Sequence, residues 1–229
     1  MKITASNLIR WTGVSTMAAG IYFAAIQPIH PPDVLASVNT GEWAIITTLK
    51  TAMCLLFLVG IAGIYARQVN KAGWLGLAGF LLFSLSWGLM VGFVFAETFI
   101  LPLLATTAPN FVAGFLGSFS GPVSGINMGI LPTLWTLDGS LYIGGGLLFG
   151  IATLRAGILP RGAAGLLAFG TALAPVAALL PAKYEPLVAV PVGLALAWLG
   201  YALWSERRAQ VSEPVPGRTN AQLSQTGAD

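Results

Sequence analysis

The sequence predicts an all-α fold, a polytopic membrane helix bundle with six transmembrane helices, and three observations carry that reading. Of 229 residues, 56% are hydrophobic and only 8% charged, against roughly 25% charged in an ordinary soluble domain; the mean hydropathy is +0.81. The apolar residues gather into runs of about 20, the length that crosses a hydrocarbon core as a helix. Lys and Arg fall between alternate runs instead of clustering. That spacing decides the meaning of the net charge of +3. A nucleic-acid binder gathers its basic residues on one folded face, whereas cations confined to alternate turns set membrane topology.

The runs place helices near 8–27, 42–66, 73–97, 135–154, 162–181 and 186–204, one transmembrane domain over 1–204. The first follows Lys2 and Arg10, as a secretory signal would. It runs for about twenty residues and ends at Gln27-Pro28 with no A-x-A cleavage site, so it is read as a retained helix; cleavage would leave five spans. Helices two and three flank RQVNKAG, with Arg67 and Lys71. Helices four and five flank RAGILPRG, with Arg155 and Arg161, and Arg207 and Arg208 follow helix six. Six spans put all of these on one side with Lys2 and Arg10, which makes that side and both termini cytoplasmic. The other side receives His30, Asp33, Glu42, Glu97, Lys183 and Glu185.

Tryptophans fit this layout, because their rings favour the headgroup layer. Trp43 and Trp135 fall at outer ends and Trp11, Trp74 and Trp204 at inner ends, while Trp87 and Trp198 are expected in the core. Pro28, Pro181 and Pro186 mark helix ends, since proline lacks a backbone donor and restricts the residue before it. Two regions are not spans. Residues 205–229 are polar with no apolar period and are expected to form a disordered cytoplasmic tail. The outer connection, 98–134, is too apolar for a solvated loop. Within it PNFVAGFLGSF suits a short helix, and Gly121, Gly125 and Gly129 recur every four residues. A cap-like or interfacial helix is expected ahead of a re-entrant loop or an irregular one, provided its backbone groups are satisfied.

The run TTLKTAMC, residues 47–54, sets a lysine inside the second apolar stretch. Helical spacing puts Thr47, Lys50, Thr51 and Cys54 on one face. That face is expected to look inward, because a charge at mid-helix costs a few kcal/mol and seeks the bundle interior or a partner. Lys50 precedes Arg67 by seventeen residues and Asp138 precedes Arg155 by seventeen, roughly 25 Å at the helical rise. Equal depth makes Asp138 the first choice of partner and Glu97, nearer the outer surface, the second. Lys50, Asp138, Glu97, Thr47 and Thr51 therefore form the candidate polar binding cluster. A pair that only fixes helix register and a lysine that snorkels to the headgroups are the alternatives.

FLVGIAGIYARQVNKAG and LLFGIATLRAGILPRGA align Gly60 with Gly150 and Lys71 with Arg161. They are read either as two hairpins of a parallel repeat or as shared hairpin composition. Gly144, Gly145, Gly146 and Gly150 make helix four a central, closely packed element. The single cysteine, Cys54, excludes an internal disulfide and a Cys-based zinc site. His30, Asp33, Glu42, Glu97 and Asp138 fall near the outer face, but there is no second histidine and no His-Glu-x-x-His. His30 is only a weak candidate metal ligand, expected in a solvated, extended IHPPD loop. Neither a G-x-S-x-G elbow nor a phosphate-cradling loop occurs, so no catalytic residue and no cofactor is expected.

GIYARQVNKAGWLGLAGF at 63–80, ETFILPLLA at 97–105 and GIATLRAGILPRGAAGLLAFG at 150–170 resemble a family of small bacterial six-helix integral membrane proteins of unknown function. The most specific pieces are YARQ at 65–68 and TLRAG at 153–157. The resemblance covers helices two to six and the two basic turns, and it implies a bacterial inner membrane and no particular substrate. The expected function is small-solute or ion transport. A non-catalytic subunit or regulator that binds another membrane protein or a lipid is the alternative, and a membrane-embedded metal-dependent hydrolase, needing His30 close to the carboxylates, is a remote third. Expected partners are the lipid bilayer and either a second copy of the chain or another membrane protein, with no nucleic acid.

Overall fold

The computed structural model describes residues 4–120, 126–181 and 184–211, which form seven α-helices and no strand. Helix α1 (Ala5–Ile26) starts at Thr4, whose hydroxyl accepts from the Asn7 N–H. Helix α2 (Gly41–Phe95) starts at Thr40, which accepts from the Trp43 N–H. Such caps satisfy donors that the first helical turn leaves open. A π-helical turn, Ala96–Ile100, leads into α3 (Leu101–Leu104). Then come α4 (Pro109–Ser120), α5 (Leu131–Ala156), α6 (Arg161–Ala172) and α7 (Val190–Val211), with 3₁₀ turns at Leu35–Ser37, Ala174–Leu179 and Glu185–Ala189.

Helix α2 is two arms in one run. At Gly73 φ is 58° and ψ −164°, a region open essentially to glycine alone, and the chain reverses there. Tyr65 stacks on Phe80 with centroids 4.6 Å apart, and farther from the bend Phe57 meets Trp87 at 4.3 Å. The arms, 41–72 and 74–95, are thus antiparallel. The loop expected at 67–72 does not exist as a loop. RQVNKA contains no proline or glycine, so the helix continues through Ala72 and a single residue makes the turn.

The remaining helices also pack antiparallel, with glycines at the crossings. A Cβ added at Gly13 would lie 2.7 Å from the Gly200 carbonyl oxygen and one at Gly20 2.6 Å from that of Gly193, so the α1 and α7 backbones touch. Helix α5 is similarly wedged: a Cβ at Gly145 would stand 2.4 Å from the Phe83 nitrogen, and one at Gly150 2.7 Å from the Ala168 nitrogen. Close backbone approach of this kind is what small residues permit where lipid supplies no hydrophobic drive. Gly60 faces Thr16 of α1, however, while Gly150 faces Ala164 and Ala168 of α6. The glycines aligned in the two similar segments are therefore not equivalent in the fold.

Arg10 Nε donates to the Trp204 carbonyl at 3.2 Å, and Gln68 Nε2 donates to the Thr153 hydroxyl at 2.7 Å. These contacts bring the start of α1, the end of α7, the Gly73 bend and the left-handed Gly157 cap to one end of the bundle. The basic residues Arg10, Arg67, Lys71, Arg155 and Arg161 are all at that end. The other end is built from the 27–40 loop, the π-turn and α4. Val112, Phe115 and Leu116 of α4 pack on Val38, Trp43 and Phe93, so the apolar connection at 98–134 forms, through α4, a cap over the hairpin.

Among the described residues three stretches are long and apolar enough to cross a membrane: Gly41–Leu104, Leu131–Ala156 and Glu185–Ser205. The expected six separate spans are not reproduced by that measure, for local reasons. Helices two and three are one run. Helix α1 has 22 residues but interrupts its apolar surface with Arg10, Thr12, Ser15 and Thr16. Helix α6 holds only 12 residues before Pro175 withdraws a donor and the chain tightens into the 3₁₀ turn Ala174–Leu179. Helix α7 continues to Val211, past the expected end at 204; residues 212–229 of the expected tail, with Gly121, Gly125 and Lys183, lie outside the described residues.

Two tryptophans exchange their expected places. Trp43 is fully buried, while Trp198 is half-exposed on the outside of α7. Trp11 and Trp74 are exposed at the basic end, and Trp87 is buried in the main core with Phe57, Phe83 and Phe149.

Candidate functional site

Lys50 projects from the first arm of α2 toward the end of the second, where the π-turn begins. Pro102 accounts for that turn: it has no N–H to donate to the Thr98 carbonyl, and its ring would crowd that carbonyl in a regular helix. The Leu101 N–H instead donates to the Ala96 carbonyl, five residues back. The widened turn directs two consecutive residues inward, so that Glu97 and Thr98 are both buried. Single π-turns of this kind concentrate at functional sites.

Lys50 Nζ donates to Glu97 Oε2 at 2.8 Å and to His30 Nε2 at 3.0 Å. The lysine fixes the tautomer. An ammonium has only donors, so Nε2 is the acceptor and the ring proton sits on Nδ1, which donates to the Pro31 carbonyl at 2.7 Å. Burial, aided by the Lys50 charge, pushes the His30 pKa down to about 4, which keeps the ring neutral and able to accept. Asp33 Oδ1 is 4.0 Å from His30 Nδ1, and burial pushes the Asp33 carboxyl up against the opposing pull of Lys50.

The frame around the pair is also hydrogen-bonded. Trp43 Nε1 donates to the Glu97 carbonyl at 3.1 Å, and the Thr47 hydroxyl donates to the Trp43 carbonyl at 2.8 Å. The Thr51 and Thr98 hydroxyls stand 3.1 Å apart across the two arms. The site thus joins Lys50, Glu97, Thr47 and Thr51 from the expected cluster with Thr98, Trp43 and His30, which the sequence reading left out of the cluster. Pro102 was the signal for the π-turn that supplies Thr98. His30 is not the solvated loop residue expected; its loop folds back over the lysine.

Asp138 is the correction. It does not pair with Lys50; it is buried on α5 beside the Ser86 hydroxyl of the second arm. The depth count used the arginines as helix ends. In the structure Lys50 lies 22 residues before the end of its arm at Ala72, whereas Asp138 lies 18 before the end of α5 at Ala156. Asp138 is therefore about one turn deeper, and it faces a different part of the second arm.

The ammonium of Lys50 occupies the point shared by His30 Nε2 and Glu97 Oε2, where a metal would have to sit. Among the described residues no three His, Cys, Asp or Glu side chains converge on a metal position. What the arrangement offers chemically is a cation already held by two acceptors, one charged and one neutral, at the edge of an apolar bundle.

These features define a helical protein that has, among the described residues, three helices long and apolar enough to cross a membrane and a largely buried ion pair at one end. Comparison with protein-family models, with curated proteins and with solved structures finds no match.

Proposed function

We propose that the chain is a bacterial inner-membrane protein that crosses the bilayer six times with both termini cytoplasmic, and that it binds a small solute or ion at its outer end as part of transport. The crossings are supported by the antiparallel order of α1, the two arms of α2, α5, α6 with its 3₁₀ extension, and α7. The orientation is supported by the gathering of Arg10, Arg67, Lys71, Arg155 and Arg161 at one end, the cytoplasmic end by the positive-inside rule. Helix α1, at 22 residues, is about 33 Å long, enough for the roughly 30 Å hydrocarbon core.

One observation carries the binding site: Lys50 is held between Glu97 and a neutral His30. A charge pair at that depth is costly and marks functional positions in membrane helices. The His30 contact is the replaceable one, because an anionic group arriving at Lys50 would be a stronger acceptor than a neutral imidazole.

A second reading, a non-catalytic membrane subunit or regulator, is favoured by the packing beneath the pair. Phe57, Phe83, Trp87 and Phe149 are buried against one another in the main core, as in a bundle closed around its centre. The two readings separate in reconstituted protein screened for thermal shift with small organic acids, amino acids and inorganic ions. A ligand that binds only the native state raises apparent stability. A shift that is lost in Lys50→Met and Glu97→Gln supports binding at this site; silence across all three classes supports the subunit.

A further inference from the structure

Among the described residues Asp138 is the one buried acid that the Lys50 site does not use. It is 2% exposed, and the Ser86 hydroxyl stands beside its carboxyl. Its Oδ1 has no hydrogen-bond partner. Among the described residues no cation pairs with it, and Lys50 is taken up by Glu97. The titratable groups that face it are Tyr142, one turn along α5, and Cys54 from the first arm of α2. The second arm presents Ser86, and the Lys50–Glu97 pair beyond Cys54 is neutral as a unit. A bare carboxylate in such a place would be desolvated without compensation, and isolated buried charges neutralise instead. The acid form suits the surroundings better. It brings a hydroxyl hydrogen that Ser86 can accept, and a neutral carbonyl oxygen without a partner costs less than a charged one.

We propose that Asp138 is an intramembrane proton-binding site: its carboxyl holds one proton at neutral pH and, on release, gives that proton to solvent water, leaving the carboxylate. The proposal stands on the surroundings of Asp138 and does not depend on any solute binding at Lys50, so a silent thermal-shift screen leaves it intact.

Infrared spectroscopy of the reconstituted protein at neutral pH tests it, comparing wild type with Asp138→Asn and with a control at the exposed Glu42, Glu42→Gln. The wild type should show a protonated-carboxyl C=O stretch above the amide region that shifts on deuteration; it should vanish in Asp138→Asn and persist in Glu42→Gln. Loss of a carboxylate band in Asp138→Asn, or an unchanged carboxylic-acid band, overturns the proposal. Should Asp138→Asn not fold, wild-type protein is treated with dicyclohexylcarbodiimide, which adds to the acid form and rearranges to an N-acylurea without a leaving group. Peptide mass spectrometry should find the adduct on Asp138, and an adduct confined to other carboxyls, or none at all, counts against the site.

Discussion

Lys50 Nζ and Glu97 Oε2 lie 2.8 Å apart across 47 residues of chain, tying together the two arms of α2 at the end opposite their bend. Removing one partner leaves the other charge buried and uncompensated, which costs about 3–5 kcal/mol in a buried pair. Lys50→Met and Glu97→Gln should each destabilise strongly, and the double variant should be less destabilised than the two single losses combined, with a coupling of about 1–3 kcal/mol. Unfolding curves in detergent measure this. Additive losses for Lys50 and Glu97, with coupling between Lys50 and Asp138 instead, would refute the pairing.

The His30 contact gives the 27–40 loop a pH dependence of definite sign. The folded pKa, about 4, is below the ordinary histidine value of 6.5, so the unfolded chain binds more protons between these values and stability rises with pH there. The contribution is complete above about pH 6.5 and is lost as pH falls toward 4, by roughly 3 kcal/mol at most. Asp33, pushed upward by burial, acts in the opposite sense and offsets part of it. The protection factors of amides in residues 27–40, taken against the intrinsic exchange rate at each pH, should fall between pH 6.5 and 4 in wild type and lose that dependence in His30→Gln. An identical profile in His30→Gln would place the effect elsewhere.

Glycine contacts predict a contrast between two positions on the same arm. A Cβ at Gly79 would stand 2.4 Å from the Phe149 nitrogen, whereas one at Gly88 meets nothing within 4 Å. Gly79→Ala must push α5 off the hairpin and should lose more than about 2 kcal/mol, as overpacking does. Gly88→Ala should be neutral or gain up to about 1 kcal/mol from helix propensity. Thermal unfolding of the two variants side by side decides it, and equal effects would contradict the α2–α5 packing.

The bend makes its own prediction. Gly73 has open space around its Cβ position but a φ of 58°, so Gly73→Ala meets strain and no clash. The expected loss is about 1–3 kcal/mol, measured as a lowered unfolding midpoint. An alanine tolerated without loss would mean that the turn is made differently.

Much of this was legible because the bilayer imposes simple rules. The turns around Arg67 and Lys71 and around Arg155 and Arg161 could be found from charge alone, and the α4 segment from its apolar character inside a connection. Lys50 and Glu97 could be selected because a charge in an apolar run has few alternatives. Their pairing was read less well. Counting residues from the arginines ignored the helix that continues from Arg67 to Ala72, and this shifted Asp138 by about a turn. Trp43 looked like an interfacial ring because it sits at a helix end, but the α4 cap covers that end and buries it. His30 carried no periodic signal at all: a loop residue's contacts depend on how the loop closes, which only the packed ends of α1 and α2 determine.

The central claim is that the basic turns and the Lys50 site lie on opposite faces of a membrane. Cysteine labelling in intact cells tests it most directly, using a Cys54→Ser background, since Cys54 is buried, and single cysteines at Asn39, Asn70, Ile158 and Tyr184. The account predicts that an impermeant maleimide reaches positions 39 and 184 from outside, and positions 70 and 158 only after permeabilisation. Labelling of 39 and 70 from the same side would contradict it.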